Sequence, residues 1–168
     1  MKKISVTRVF RLLAPALVII SCWGCKSRAA FDYSENFVKK EKSLSADITS
    51  TELKVGRYME AEQYDSIAIA SEKMEAEVDA VMKQVKDEPA PAVKEGDNFK
   101  EAGVKYFAFI KSMYTAYKEF GNAKSTDGRQ AALDKIKDIV ARRTDAVSEI
   151  QQAQRKFADA NGFQVQKK

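Results

Sequence analysis

The stretch NFKEAGVKYFAFIKSMYTAYKEF, residues 98–120, decides the fold class. Its apolar residues Phe99, Ala102, Tyr106, Phe109/Ile110, Met113, Tyr117 and Phe120 recur at spacings of three and four. That is the period of a helix with one buried face, whereas a strand would alternate in twos. Asn98 is placed to cap the first turn, and Glu101 stands three residues on to answer it. Gly121-Asn122 predicts the stop.

The same period continues on both sides. Downstream, Asp127-Gly128-Arg129-Gln130 predicts a second helix start. A stripe of Leu133, Ile136, Val140, Val147, Ile150, Gln154 and Phe157 then carries one helix to Asn161. Gly162 is the expected residue just past its end, with Phe163 folding back on Phe157 or Ala158 as in a Schellman motif. Upstream, residues 87–97 hold Pro89, Pro91 and Gly96 and read as a linker. Before it, a helix over about 66–87 is marked by Ile67, Ala70, Met74, Val78, Val81 and Val85, with Asp65 as N-cap and Tyr64 stapled on Ile69. The first helix, about 33–60, starts from an Asp32/Glu35 capping box. Phe37, Leu44, Ile48, Val55 and Tyr58 mark its face, and Glu41 and Thr51 fill the intervening slots. Asp65, Gly56 and the polar run 60–63 divide these two helices; one bent helix is the alternative. Four amphipathic helices with short connections predict an all-α fold, an antiparallel four-helix bundle of two hairpins over residues 32–168.

Composition agrees. The chain of 168 residues, 45% apolar and 32% charged, fits one domain. Seven Gly and three Pro are too few for a turn-rich β-fold. The absence of His excludes His-based triads, His metal sites and most proton shuttles. Cys22 and Cys25 are the only cysteines, so no disulfide can staple the body. Lys2, Lys3, Arg8 and Arg11 account for most of the net charge of +5: after Ser21 there remain 25 basic and 24 acidic residues. The body therefore gives no electrostatic reason to expect nucleic acid as a partner.

Residues 1–21 read as an export signal, a basic segment followed by the apolar run 12–20. That run is shorter than the roughly 20 residues a spanning helix needs, and it matches a signal-peptide core. Ile19-Ile20-Ser21-Cys22 resembles the lipobox of bacterial lipoproteins, in which the cysteine is acylated and becomes the first residue of the mature chain. Cys25, after Gly24, is the alternative site, with Trp23 and Cys22 less suited to the flanking positions. Residues 22–31 show no period and read as a lipidated tether. The expected membrane partner is the bilayer itself, through the N-terminal acyl chains, two or three of which give durable anchoring. The residue after Cys22 is Trp23, not Asp, which in many Gram-negative bacteria directs a lipoprotein to the outer membrane.

Few residues suggest chemistry. Glu72, Glu75, Glu77 and Asp79 crowd two turns of the second helix, but a carboxylate di-metal bundle also needs Glu-x-x-His. A solvated face paired with lysines is the expectation, with no metal and no cofactor. Phe107 and Tyr114 fall off the stripe of the third helix, seven residues apart. They are the candidate partner or ligand surface, against the simpler reading of a wide core face. No base accompanies any Ser or Thr, and no glycine-rich phosphate loop occurs.

The segments Asn98-Phe99-Lys100-Glu101-Ala102 and Tyr106-Phe107-Ala108-Phe109-Ile110-Lys111-Ser112 are similar to the aromatic third helix of a family of small, uncharacterised bacterial surface lipoproteins of spirochaetes and Bacteroidota-like Gram-negatives. Gln154-Arg155-Lys156-Phe157-Ala158 and Asn161-Gly162-Phe163 resemble its closing segment. The first half matches in helix placement alone. The resemblance implies a helical, lipid-anchored envelope protein and carries over no catalytic residue. The functional expectation is thus a membrane-anchored binding or structural module rather than an enzyme. The second expectation is a periplasmic ligand carrier or chaperone-like adaptor working through helix 3.

Overall fold

The computed structural model describes residues 18–19 and 24–165, with side chains from Lys26 onward. Five helices follow one another: α1 Gly24–Glu60, α2 Tyr64–Asp87, α3 Gly96–Asn122, α4 Thr126–Ala141 and α5 Arg143–Ala160. Two two-residue strands, β1 Val18–Ile19 and β2 Gln164–Val165, pair antiparallel. The body is all-helical.

Side-chain contacts give the directions of the helices. Between α2 and α3, Lys111 meets Asp79 at 2.5 Å and Lys118 meets Glu75, so one number falls as the other rises. Between α1 and α5, the rings of Phe31 and Phe163 touch, as do those of Tyr33 and Phe157, while Gln154 donates to Ser34 at 3.2 Å. These two helices also run in opposite senses. Between α1 and α3, Tyr106 reaches Glu41 and Tyr117 reaches Glu52. Both partners advance together, so these two run the same way. α3 packs on α2 along one side and on α4 and α5 along the other.

That central position explains why α3 buries so wide an arc. Phe99, Tyr106, Phe107, Ile110, Met113, Tyr114, Ala116 and Tyr117 are all in the core. At the level of Gly103 the ring of Phe37 lies where a side chain would be: a Cβ there would sit 2.7 Å from Cε2 of Phe37. The aromatic layer continues through Phe37, Phe99 and Phe157, the last two stacked with centroids 5.0 Å apart.

Several local expectations are corrected. α1 begins at Gly24, not near residue 33, so the stretch expected to be a tether is helical from Gly24 on. Ala30 is fully buried and Phe31 packs edge-on against Phe163, so two residues suffice to bring these turns into the core without a readable period. The Asp32/Glu35 pair lies inside the helix and caps nothing. α2 starts at Tyr64, with no side-chain cap. Ile69 is 70% exposed, and Tyr64 packs instead on Phe120 and beneath the guanidinium of Arg129. α3 starts at Gly96, and Asn98 bonds the Glu95 carboxylate rather than the backbone. Ser125, not Asp127, caps α4 by accepting from the Gly128 amide at 3.0 Å.

The boundary between the first two helices does exist, at residues 61–63, where Glu62 takes a positive φ of 54°. The closing motif also forms: Phe163 N–H donates to the Ala158 carbonyl at 3.1 Å, Gly162 has φ 74° and Phe163 is buried against Phe157. The long fourth helix does not persist. It breaks at Arg142 into α4 and α5. Its buried stripe is Ala132, Ile136, Ile139, then Ile150, Gln154, Phe157, while Val140 turns toward solvent. Residues 141–146 offer no large apolar side chain to hold one continuous face across the break.

Candidate functional site

Neither half of the expected aromatic surface is a surface. Phe107 and Tyr114 are both fully buried: Phe107 packs against Phe37 and Tyr106, and Tyr114 beside Tyr117. The seven-residue spacing that set them apart is a second core stripe, buried because α3 has neighbours on several sides. Phe109, assigned to the core stripe, is only half-buried. It borders a groove of about 290 Å³ between α3 and the start of α5, with Ala102, Lys105, Tyr106, Arg142 and Glu149 along it. A larger cleft of about 770 Å³ lies between Lys26 of α1, the loop 90–94 and Asn161.

Cys22 lies outside the described residues. Cys25 falls in the first turn of α1, and its side chain is also outside the description. Of the acidic run of α2, Glu77 pairs within the helix, with Lys73, whereas Glu75 bonds Lys118 and Thr115 and Asp79 meets Lys111, all from α3. The proximity of Lys111 holds the Asp79 carboxyl below its ordinary range. Among the described residues no three acidic or thiol side chains converge as a metal site. No described helix is long and apolar enough to cross a membrane.

The unusual polar chemistry is inside. α1 carries one acid, Glu52, into the core and another, the part-buried Glu41, to its edge, each facing tyrosine from α3. Glu41 Oε1 accepts from the Tyr106 hydroxyl at 3.0 Å. Burial pushes its pKa up, opposed by that hydrogen bond and by Lys42. Three turns on, Glu52 is only 7% exposed. Its Oε2 accepts from Tyr117 at a long 3.4 Å, and its Oε1 has no hydrogen bond. Tyr114 stands beside the same carboxyl and favours its ionised form, yet its hydroxyl closes no well-formed bond. Desolvation pushes the Glu52 pKa up to about 7 against the pull of Tyr114, Tyr117 and the charge of Arg143. The three tyrosines move up as well, from burial first and the neighbouring carboxyl second. They therefore remain protonated donors, and Glu52 is the member that titrates near neutrality.

The sequence pattern places Glu41 in a stripe position and gives the next polar slot to Thr51 rather than Glu52. A signal was available: Glu52 stands four residues after Ile48 and three before Val55, so it shares their face.

Comparison with known proteins found no matching family model, no matching curated relative and no matching solved structure.

Proposed function

We propose that this chain is an envelope lipoprotein, exported, acylated at Cys22 and held at the outer membrane, where its helical body acts as a binding or structural module without catalysis. The observation that carries the reading is Ile19-Ile20-Ser21-Cys22 behind a basic and then apolar leader. Only a thiolate is a ready nucleophile toward a lipid donor at neutral pH, so the chemistry needs a cysteine there. The helix directions support, as part of the same proposal, an antiparallel four-helix arrangement of two hairpins in which α4 and α5 together make the fourth column. α1 begins two residues beyond Cys22. The anchor would then join the body with little slack, placing the α1 start, the loop 90–94 and the α5 end toward the bilayer. The likeness to small surface lipoproteins belongs to this proposal too.

The test is metabolic labelling with fatty acid. Wild type and Cys25→Ser should incorporate label and fractionate with membranes; Cys22→Ser should remain an unprocessed precursor or be released. Label in Cys22→Ser but not in Cys25→Ser moves the anchor to Cys25. Label in none of the three removes the lipoprotein reading.

A second reading, a ligand carrier or adaptor working through helix 3, draws on the groove bordered by Phe109 and Tyr106. It no longer draws on Phe107 and Tyr114. A Phe109→Glu variant that folds normally but loses a cross-linked partner in intact cells would favour it.

A further inference from the structure

Three separate parts of the fold meet at the end of the molecule where the acyl anchor would attach. Lys26 of α1, the loop 90–94 and the end of α5 at Asn161 border one cleft of about 770 Å³. In the sequence only Trp23 stands between Cys22 and Gly24, where α1 begins. Two extended residues span at most about 7 Å, and Lys26 lies about 3 Å further along the helix rise. An anchor at Cys22 therefore holds this cleft within about 10 Å of the acylated residue, little more than the depth of a headgroup layer, about 5–8 Å on each side of a bilayer. Trp23 is itself of the residue type that gathers at membrane–water interfaces.

The loop has the chemistry to use that position. Pro89-Ala90-Pro91-Ala92-Val93 is an uncharged run between the charged Lys86-Asp87-Glu88 and Lys94-Glu95. Pro89 and Ala92 are exposed, and so are Lys26 and Lys94 beside the cleft. The run is held from three sides. Glu88, just before it, is bonded by Lys40 and Asn36 of α1. Asn161 donates to the Lys94 carbonyl at 2.9 Å. The Pro91 carbonyl lies so close to Gly96 that a Cβ there would collide with it. A loop already fixed in this way loses little conformational freedom on meeting a surface. The charges at the cleft are of both signs, since Asp97 lines it together with Lys26 and Lys94. That mixture gives little net attraction to a purely anionic surface. It matches a zwitterionic phospholipid headgroup, whose phosphate suits the lysines and whose ammonium suits the aspartate.

Resting on the reading of Cys22 as the acylated residue, we propose that the loop 89–93, with Lys26 and Lys94, is a second membrane contact: it seats on the zwitterionic phospholipid surface beside the anchor, with its uncharged run at headgroup depth and the two lysines on lipid phosphates. Anchor and loop together fix two points of the body, so α1 stands away from the bilayer instead of lying along it. Its 37 residues carry the turn into α2 about 55 Å from the membrane. Ile69, 70% exposed near that turn, is the distant reference.

The experiment places an environment-sensitive fluorophore at Ala92→Cys, and separately at Pro89→Cys and Ile69→Cys, in the full chain carrying Cys25→Ser. Each protein is purified from membranes after growth with labelled fatty acid. It is then reconstituted into vesicles of phosphatidylethanolamine and phosphatidylglycerol that contain a headgroup-nitroxide lipid. The probes at positions 89 and 92 should shift to the blue and be quenched by the nitroxide, and the probe at position 69 should do neither. Adding Lys26→Glu and Lys94→Glu should abolish most of that quenching while fatty acid incorporation persists. Acylated protein whose loop probes are quenched no more than the probe at position 69 overturns the contact and leaves the anchor standing. Loop probes shielded from aqueous iodide but untouched by the nitroxide overturn it in favour of a protein partner. Quenching unchanged by the double charge reversal overturns the assignment of the lysines to lipid phosphate. Absence of fatty acid from the wild-type protein removes the anchor reading, and this proposal with it.

Discussion

Gly121→Ala should destabilise this protein, although the same change in most helices does the opposite. In a helix interior alanine is favoured over glycine by about 1 kcal/mol, and Gly121 lies in the last turn of α3. The tertiary structure reverses the sign. A Cβ at Gly121 would lie 2.5 Å from the Tyr64 carbonyl oxygen, 2.6 Å from the Ala68 nitrogen and 2.9 Å from the Ala68 Cβ. Two of those three atoms are backbone of the first turn of α2, so no side chain can swing away. The helices must separate, and the Tyr64–Phe120 ring contact and the Arg129 guanidinium over Tyr64 lie at the same junction. Overpacking of this kind costs typically 1–3 kcal/mol, which outweighs the propensity gain at a helix end. We expect a net loss of about 1–2 kcal/mol, read as a fall of about 0.5–1 M in the urea midpoint at unchanged slope. Gly162→Ala is the contrasting case. It meets nothing within 4 Å but has φ 74°, so its loss arises from backbone strain and should be partly recovered by Asn, which tolerates that conformation. Asn at position 121 should be worse than Ala. A Gly121→Ala protein as stable as wild type would refute the close approach of α2 and α3.

Three further outcomes are expected. Phe99→Ala should lose about 3–5 kcal/mol, the range for emptying a fully buried ring site, since Phe99 is 1% exposed and stacked on Phe157; Phe109→Ala should lose markedly less, and equal losses by urea denaturation would mean that the burial pattern of α3 is wrong. For Glu52 the folded pKa stands above its unfolded value, so its contribution is fully present below about pH 4.5 and is lost as pH rises through about 7; wild type should lose about 3 kcal/mol relative to Glu52→Gln over that window at 1.36 kcal/mol per pK unit, and parallel stability–pH curves would contradict the burial of Glu52 as an acid. Ser125→Ala should cost about 1 kcal/mol through its bond to the Gly128 amide, while Asp127→Ala should cost less, and the reverse order in thermal melts would return the cap to Asp127.

The buried acids and the wide core face of α3 have a common origin. A helix that meets neighbours on several sides must bury residues beyond one stripe, and the polar ends of its tyrosines then depend on partner helices, which complete Tyr106 and Tyr117 but not Tyr114. Tyr106 and Tyr117 each find a glutamate on α1. Deleting either acid would leave a buried hydroxyl unpaired, and deleting either tyrosine would strand a carboxyl, so each pair is more costly to break than to keep.

Read by itself, the chain determined that its body is helical and approximately where the helices lie, while leaving open whether α1 and α2 divide or form one bent helix. These follow from residues a few positions apart: three-and-four spacing, prolines at 89 and 91, and a glycine at 162 that lets Phe163 fold back on Phe157. The pairing of Glu77 with Lys73 was legible for the same reason, whereas the lysines of α3 that meet Glu75 and Asp79 were not. Which side of α3 faces outward was not legible. Periodicity describes one helix alone, while the buried arc depends on how many helices surround it, and so Phe107 and Tyr114 exchanged roles with Phe109. The helical state of residues 24–31 and the burial of Glu52 were likewise decided by contacts between elements distant in sequence: Phe31 with Phe163, and Tyr117 with Glu52. Local sequence sets the period of a helix, but the desolvation of a carboxyl depends on everything that closes over it, and only the packed structure contains that information.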